Sequence, residues 1–152
     1  MCKNQPFLTE EYKIVETKEK YPKFYIKDKK GKPLKNRVMG FSDGEHIYIN
    51  ASRYSYQSHF VRSKQIGRYL YFEDRFADPM AGVMFGLVGS ALSNNPRAVI
   101  LDTTTGLVIL LDSIKMENFL DDHPNIKGEY MTSRKKIQDK YAAIEKVNEK
   151  FK

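Results

Sequence analysis

Between His46 and Ala51 the side chains alternate, with Ile47 and Ile49 on one face and Tyr48 and Asn50 on the other. That is the two-residue period of a strand. Strands are also read in Phe24-Tyr25-Ile26, in Arg37 to Phe41, in Phe60 to Lys64 and in Ile66 to Phe72, where Tyr69 and Tyr71 oppose Leu70 and Phe72. Turn chemistry separates these runs. Asp28-Lys29-Lys30-Gly31-Lys32-Pro33 is one turn. Ser42-Asp43-Gly44-Glu45 closes a hairpin, with Gly44 supplying the positive φ. Gly67 marks a bulge or turn. Ala98 to Leu101 and Leu107 to Leu111 are almost wholly apolar and flank Asp102-Thr103-Thr104-Thr105-Gly106. They predict a central hairpin covered on both faces.

Elsewhere the pattern is helical. Thr9 followed by Glu10 and Glu11 reads as an N-cap with acids in the first turn, predicting a short helix over about Glu10 to Glu19 that ends before Tyr21-Pro22. Asp112 or Ser113 caps a helix carrying Ile114, Phe119 and Leu120, which stops before His123-Pro124. A last helix runs from about Asn125 or Thr132 to the end, with Ile137, Tyr141, Ile144 and Phe151 as one apolar stripe.

The run Asp78 to Asn95, DPMAGVMFGLVGSALSNN, stands apart, with no charge between Asp78 and Arg97. Asp78 suits an N-cap, Pro79 the first helical position, and Ser93-Asn94-Asn95-Pro96 a stop. A helix of about 14 residues is roughly 21 Å long, short of a membrane span. Gly82, Gly86 and Ser90 line one face and permit close backbone approach. The favoured reading is a helix buried against the sheet. The alternative is an exposed element meeting a membrane or a partner through Met84, Phe85 and Leu87, with Tyr54 and Tyr56 of the polar loop Arg53 to Ser58 as further candidates for that surface. A phosphate-cradling loop fits worst, because no Lys-Ser/Thr follows the glycines.

These elements assemble into an α+β fold: an antiparallel sheet of about six strands, an internal Gly-rich apolar helix, and C-terminal helices packed on the sheet. The expected organisation is a single domain over residues 1–152, with a basic arm at 1–37, a sheet core at 38–112 and helices at 113–152.

Composition adds charge to this picture. The chain of 152 residues carries a net +7. Residues 1–37 hold 11 basic and 5 acidic groups, so the excess sits around Lys27, Lys29, Lys30, Lys32, Lys35 and Arg37. Such a cluster suits an anionic partner. The plainer reading, a solvated Lys-rich hairpin, is preferred, and nucleic acid is not expected as a partner. The single cysteine, Cys2, allows no intrachain disulfide and no thiolate zinc site. No run approaches a transmembrane length, and Met1 to Lys20 holds no signal-like apolar core. If an export signal had been trimmed, Cys2 would stand where a lipoprotein cysteine is left; otherwise it is a free thiol. An acyl chain there would need a second signal for firm anchoring.

Catalytic chemistry is not expected. His46, His59 and His123 stand alone in their segments, outside any metal or hydrolase motif. Glu73-Asp74 point to opposite faces of a strand, and Asp121-Asp122 sit at a helix C-terminus, where acids are unfavourable, and read as solvated. Gly40-Phe41-Ser42-Asp43-Gly44 fits GxSxG in spacing, but strand patterning follows it at once, whereas a nucleophile elbow needs a helix there. Neither a cofactor nor a metal is expected.

The blocks GFSDGEHIYINASRY, IGRYLYFED, the Gly-rich stretch and VILDTTTGLVILL, in that order, resemble a family of small, uncharacterised exported or envelope proteins of Bacteroidota. The resemblance covers about residues 37–120. It implies export and brings no catalytic residues with it. The expectation is a non-enzymatic, envelope-associated or periplasmic binding protein with a protein partner, anchored through Cys2 if lipidated, and cytoplasmic if no signal precedes it. The alternative is an immunity-type protein that neutralises a competitor's toxin.

Overall fold

Two antiparallel sheets, each with its own apolar core, replace the single sheet expected from the sequence. The computed structural model describes residues 12–18, 20, 22–33, 38–54, 58–64, 67–75 and 96–152. The chain divides into two compact units at Ser63/Lys64, inside the segment read as one sheet core. Eight strands and three α-helices lie among the described residues. The Gly-rich stretch lies outside them.

The N-terminal unit holds β1 (Tyr12–Glu16), β2 (Phe24–Asp28), β3 (Gly40–Ser42), β4 (Ile47–Asn50) and β5 (Phe60–Arg62), in the spatial order β1-β2-β5-β4-β3. β1 corrects the helix expected over about Glu10 to Glu19. Its inward residues Tyr12 and Ile14 face Asp28 and Ile26 across the ladder and pack on the cluster of Phe24, Ile26, Tyr48 and Phe60. Pairing with β2 outweighs the weak helical signal of the two glutamates, because tertiary burial overrides local propensity. Gly44 adopts φ 97° in the β3–β4 turn, as the hairpin reading required.

Aromatic rings hold this sheet together. Phe41 stacks on Tyr48 at 4.5 Å, and Phe24 meets Tyr48 edge-on at 4.9 Å. Such pairs add about 0.5–1.5 kcal/mol each beyond the area they bury. Asn50, buried at the end of β4, donates to the carbonyl of Val38 and accepts the Ser52 N–H that opens a short 3-10 turn.

The C-terminal unit is a three-stranded meander, β6 (Tyr69–Asp74), β7 (Arg97–Asp102) and β8 (Val108–Leu111), followed by α1 (Ser113–Phe119), α2 (Pro124–Thr132) and α3 (Ile137–Glu149). β7 is central, with Ala98 to Leu101 all buried. β8 is only half-buried along most of its length, so the expectation that both hairpin arms are fully covered holds for β7 alone. Tyr71, Ala98, Ile100 and Leu111 form one core with Met116, Leu120, Ile126, Tyr130, Ile144 and Val147 of the helical segment, so the helices do pack on a sheet.

The helix boundaries follow local chemistry. The Asp112 carboxylate caps α1 by accepting the Lys115 N–H at 2.7 Å. The single last helix expected from the stripe is two helices. Ser133 to Lys136 interrupt it, with Lys135 at φ 53°, and Asp139 accepts the Lys136 N–H to start α3. Phe151 falls beyond the end of α3 and leaves the buried stripe, with 46% of its surface exposed.

Several bonds tie α3 to the sheet: Lys140 Nζ donates to the Leu111 carbonyl at 2.6 Å and the Tyr71 hydroxyl to the Ile137 carbonyl at 3.4 Å, and Asn148 adds a two-bond clamp. The Asn148 carboxamide accepts the Tyr69 N–H at 2.9 Å and donates to the Tyr69 carbonyl at 2.8 Å. A Cβ on Gly67 would fall 2.7 Å from that carboxamide. Gly67 is therefore a glycine because of close approach, not because of its dihedral. Asn148→Leu leaves two main-chain groups of Tyr69 without these partners and should lower unfolding stability by about 2–4 kcal/mol in urea titration. Gly67→Ala should destabilise by a similar mechanism, and the double substitution by less than the sum, because both act on one contact. A wild-type midpoint for Asn148→Leu rules out the clamp.

Candidate partner-binding surface

The Asn148 clamp brings the start of β6 to the end of α3, and with it Arg68 to Phe151. The Arg68 guanidinium lies over the Phe151 ring at 4.6 Å and over the Tyr69 ring at 5.3 Å. Tyr69 in turn meets Phe119 of α1 edge-on at 4.9 Å and Phe151 at 6.1 Å. Arg68 keeps about a third of its side chain exposed and stands 4.0 Å from the Asp102 carboxylate. Its Nε is buried and has no hydrogen-bond partner. A guanidinium that lies over aromatic rings is held in place by them, so a partner carboxylate or carbonyl that meets its exposed part gains a directed contact at little further ordering cost.

Asp102 is fixed by the β7–β8 turn. Burial pushes its carboxyl up, but hydrogen bonds from the Thr104 and Thr105 N–H groups, with help from Arg68, hold it below the usual range. Thr103 completes the link by donating both its N–H and its hydroxyl to the Arg68 carbonyl. Burial raises the Tyr69 hydroxyl above its ordinary range, so this ring stays neutral at physiological pH. The edge of the surface carries His123 and Lys150, with Lys150 Nζ 3.4 Å from His123 Nδ1. Burial, the Lys150 charge and the Arg68 charge lower the His123 imidazole, against a smaller opposing pull from Asp122.

The residues singled out in the sequence are not among those that form this surface. Tyr54 closes the 3-10 turn of the N-terminal unit, half-buried, with its N–H donated to the Ala51 carbonyl. Cys2, Tyr56, Met84, Phe85 and Leu87 lie outside the described residues. The GFSDG segment is β3, a turn and β4: Ser42 Oγ accepts the Gly44 N–H, and Asp43 accepts those of Glu45 and His46. His46 leans on Asp43 at 3.6 Å. His59 is buried at the start of β5. Glu73 takes Lys64 at 2.5 Å and the Tyr71 hydroxyl at 3.0 Å, while Asp74 is buried and accepts the Arg75 N–H, so the two carboxylates diverge as strand geometry requires. Asp121 and Asp122 are exposed, and Asp121 pairs with Lys127. Among the described residues, no group of three or more His, Cys, Asp or Glu could hold a metal ion, and no helix is long and apolar enough to cross a membrane.

Sequence reasoning missed Arg68, Tyr69, Phe119 and Phe151 as a group. The usable signal was Phe151, an aromatic residue flanked by Lys150 and Lys152 at the end of a polar segment, where a core residue is out of place.

The lowered His123 imidazole sets a pH dependence. The unfolded chain binds a proton that the folded chain resists, so stability is fully present above the ordinary histidine value of 6.5 and is lost as pH falls through it to the lower folded value. Thermal midpoints should therefore drop on acidification across that window. His123→Gln should flatten that part of the profile; an unchanged profile overturns the assignment.

No curated protein and no solved structure matches this chain. Its sequence does match a family of unknown function, DUF6563, over residues 2–149, and the chain belongs to that family.

Proposed function

We propose that the protein is a non-enzymatic binding protein of the cell envelope or periplasm, with another protein as its ligand, and that the Arg68–Tyr69–Phe119–Phe151 surface makes the contact. The observation that carries this reading is the Arg68 guanidinium, which lies over two aromatic rings while about a third of its side chain stays exposed. Arg and Tyr dominate the residues on which protein interfaces depend most, and Phe151 adds exposed apolar area beside them.

The envelope part of the reading rests on the resemblance of residues 37–120 to small exported proteins of Bacteroidota. The non-enzymatic part is supported by the divergence of Glu73 and Asp74, by the separate settings of His46, His59 and His123, and by the hairpin at Ser42. An immunity role is the same surface with a toxin as the partner. Lipidation of Cys2 would supply the anchor.

Affinity purification from the native organism identifies the partner, and calorimetry with the purified partner then tests the surface. Arg68→Ala should weaken binding by about 2 kcal/mol or more, and Phe151→Ala by about 1–2 kcal/mol. Phe151 lies past the last helix, so its removal should leave the thermal midpoint within a few degrees. A partner that binds both variants as tightly as the wild type sinks this assignment.

A further inference from the structure

In the N-terminal unit the ladder between β1 and β2 sets Lys13 directly opposite Lys27, and Val15 opposite Tyr25. These four residues share the face opposite to Tyr12, Ile14, Phe24 and Ile26, which pack on the aromatic cluster. Like charges placed directly across a sheet destabilise it, so this pairing is not explained by the fold.

The turn after β2 adds to the same end of the ladder. Lys29, Lys30 and Lys32 are all exposed, and Pro33 bridges back to Lys27. The acid in that turn, Asp28, is occupied by the main chain: one carboxylate oxygen accepts the N–H groups of both Lys30 and Lys32 at 2.9 Å. Glu16 of β1 belongs to the inward face by strand alternation, and its charge acts on Tyr48. Among the described residues no carboxylate pairs with Lys13, Lys27, Lys29, Lys30 or Lys32.

We propose that this lysine face of the β1–β2 hairpin is a docking surface for an anionic phospholipid membrane. Five cations with no carboxylate partner among the described residues match a diffuse negative surface in sign. All five are lysines, which act as point charges, whereas directed phosphate recognition favours the arginine fork. Next along the same face, away from that turn, stand Val15, 41% exposed, and the half-buried Tyr25. A small apolar residue and an amphipathic ring suit the headgroup level of a bilayer. A nucleic-acid strand would instead call for a row of stacking rings, and the face offers one. The inference lies in a different unit from the Arg68 surface and does not depend on it.

Sedimentation of the full chain with vesicles is the test. The vesicles are phosphatidylcholine alone, or with roughly a third phosphatidylglycerol, at about 0.1 M salt, where the screening length is near 10 Å. Binding is expected to the anionic vesicles, lost at high salt, and absent on phosphatidylcholine alone. Each lysine contributes about fivefold to partitioning. Lys13→Gln with Lys27→Gln should therefore weaken it roughly 25-fold, with a thermal midpoint equal to or above wild type because a like-charge pair is removed. Lys115→Gln with Lys152→Gln, in the other unit, should change it by less than about twofold. The proposal is overturned if neutral vesicles bind equally, if anionic vesicles do not bind, or if the two double variants lose binding alike. Tighter retention of a mixed-sequence DNA oligonucleotide than of anionic vesicles, with the same lysine dependence, overturns it in favour of nucleic acid.

Discussion

One amide sets where β6 begins in the C-terminal unit. The Asn148 side chain takes both main-chain hydrogen bonds of Tyr69 and so acts as a substitute strand neighbour at the place where β6 begins. Buried main-chain groups must be paired, and here the pairing comes from a helix lying 79 residues further along the chain. The start of β6 and the end of α3 are held together by that bond. Arg68 precedes Tyr69, Phe151 follows Asn148 by less than a turn, and the Thr103 hydroxyl fixes the Arg68 carbonyl from the opposite side. Gly67 belongs to the same device, because any larger residue would push the carboxamide off its partners.

This arrangement explains why a cation can remain ordered there. An exposed arginine usually loses more entropy on being held than its ion pair returns. The Asp102 contact, at 4.0 Å, is weak by itself. Two ring faces and a main chain clamped on both sides do the holding instead, which leaves the guanidinium edge available. The lowered His123 imidazole is a by-product of the same crowding, since Lys150 and Arg68 both bring positive charge to a partly buried ring.

Local chemistry was legible in the sequence, and long-range chemistry was not. The hairpin turn at Gly44, the cap at Asp112 and the apolar strand over Ala98 to Leu101 depend on neighbours a few residues away, and each lies where the pattern put it. β1 was misread because Val15 is apolar on the solvent side and blurs the alternation, while two glutamates just upstream imitate a helix start. The break between α2 and α3 was hidden because Lys135 carries no glycine-like signal for its positive φ. The division into two sheets could not be read at all, since strand runs of the same period say nothing about which runs pair. The Arg68 surface failed for the same reason: it joins residues from β6, the β7–β8 turn, α1 and the chain end, and no spacing rule connects positions 68, 102, 119 and 151.

The two surfaces differ in the physics they use. The proposed Arg68 surface is short-range and directional, built from rings and a part-exposed guanidinium lying over them, and a site of that kind would discriminate among partners by geometry. The β1–β2 face is long-range and undirected, built from lysines that meet no carboxylate among the described residues. Its repulsion between Lys13 and Lys27 is largest when no counter-surface is present and falls when one neutralises it, so an anionic surface would stabilise the hairpin as well as attract it. A surface of that kind concentrates a protein where a partner resides; a surface of the Arg68 kind selects which partner is held. Charge without geometry in one unit and geometry with little net charge in the other would, if both proposals hold, suit a protein that first meets a charged boundary and then recognises something at it.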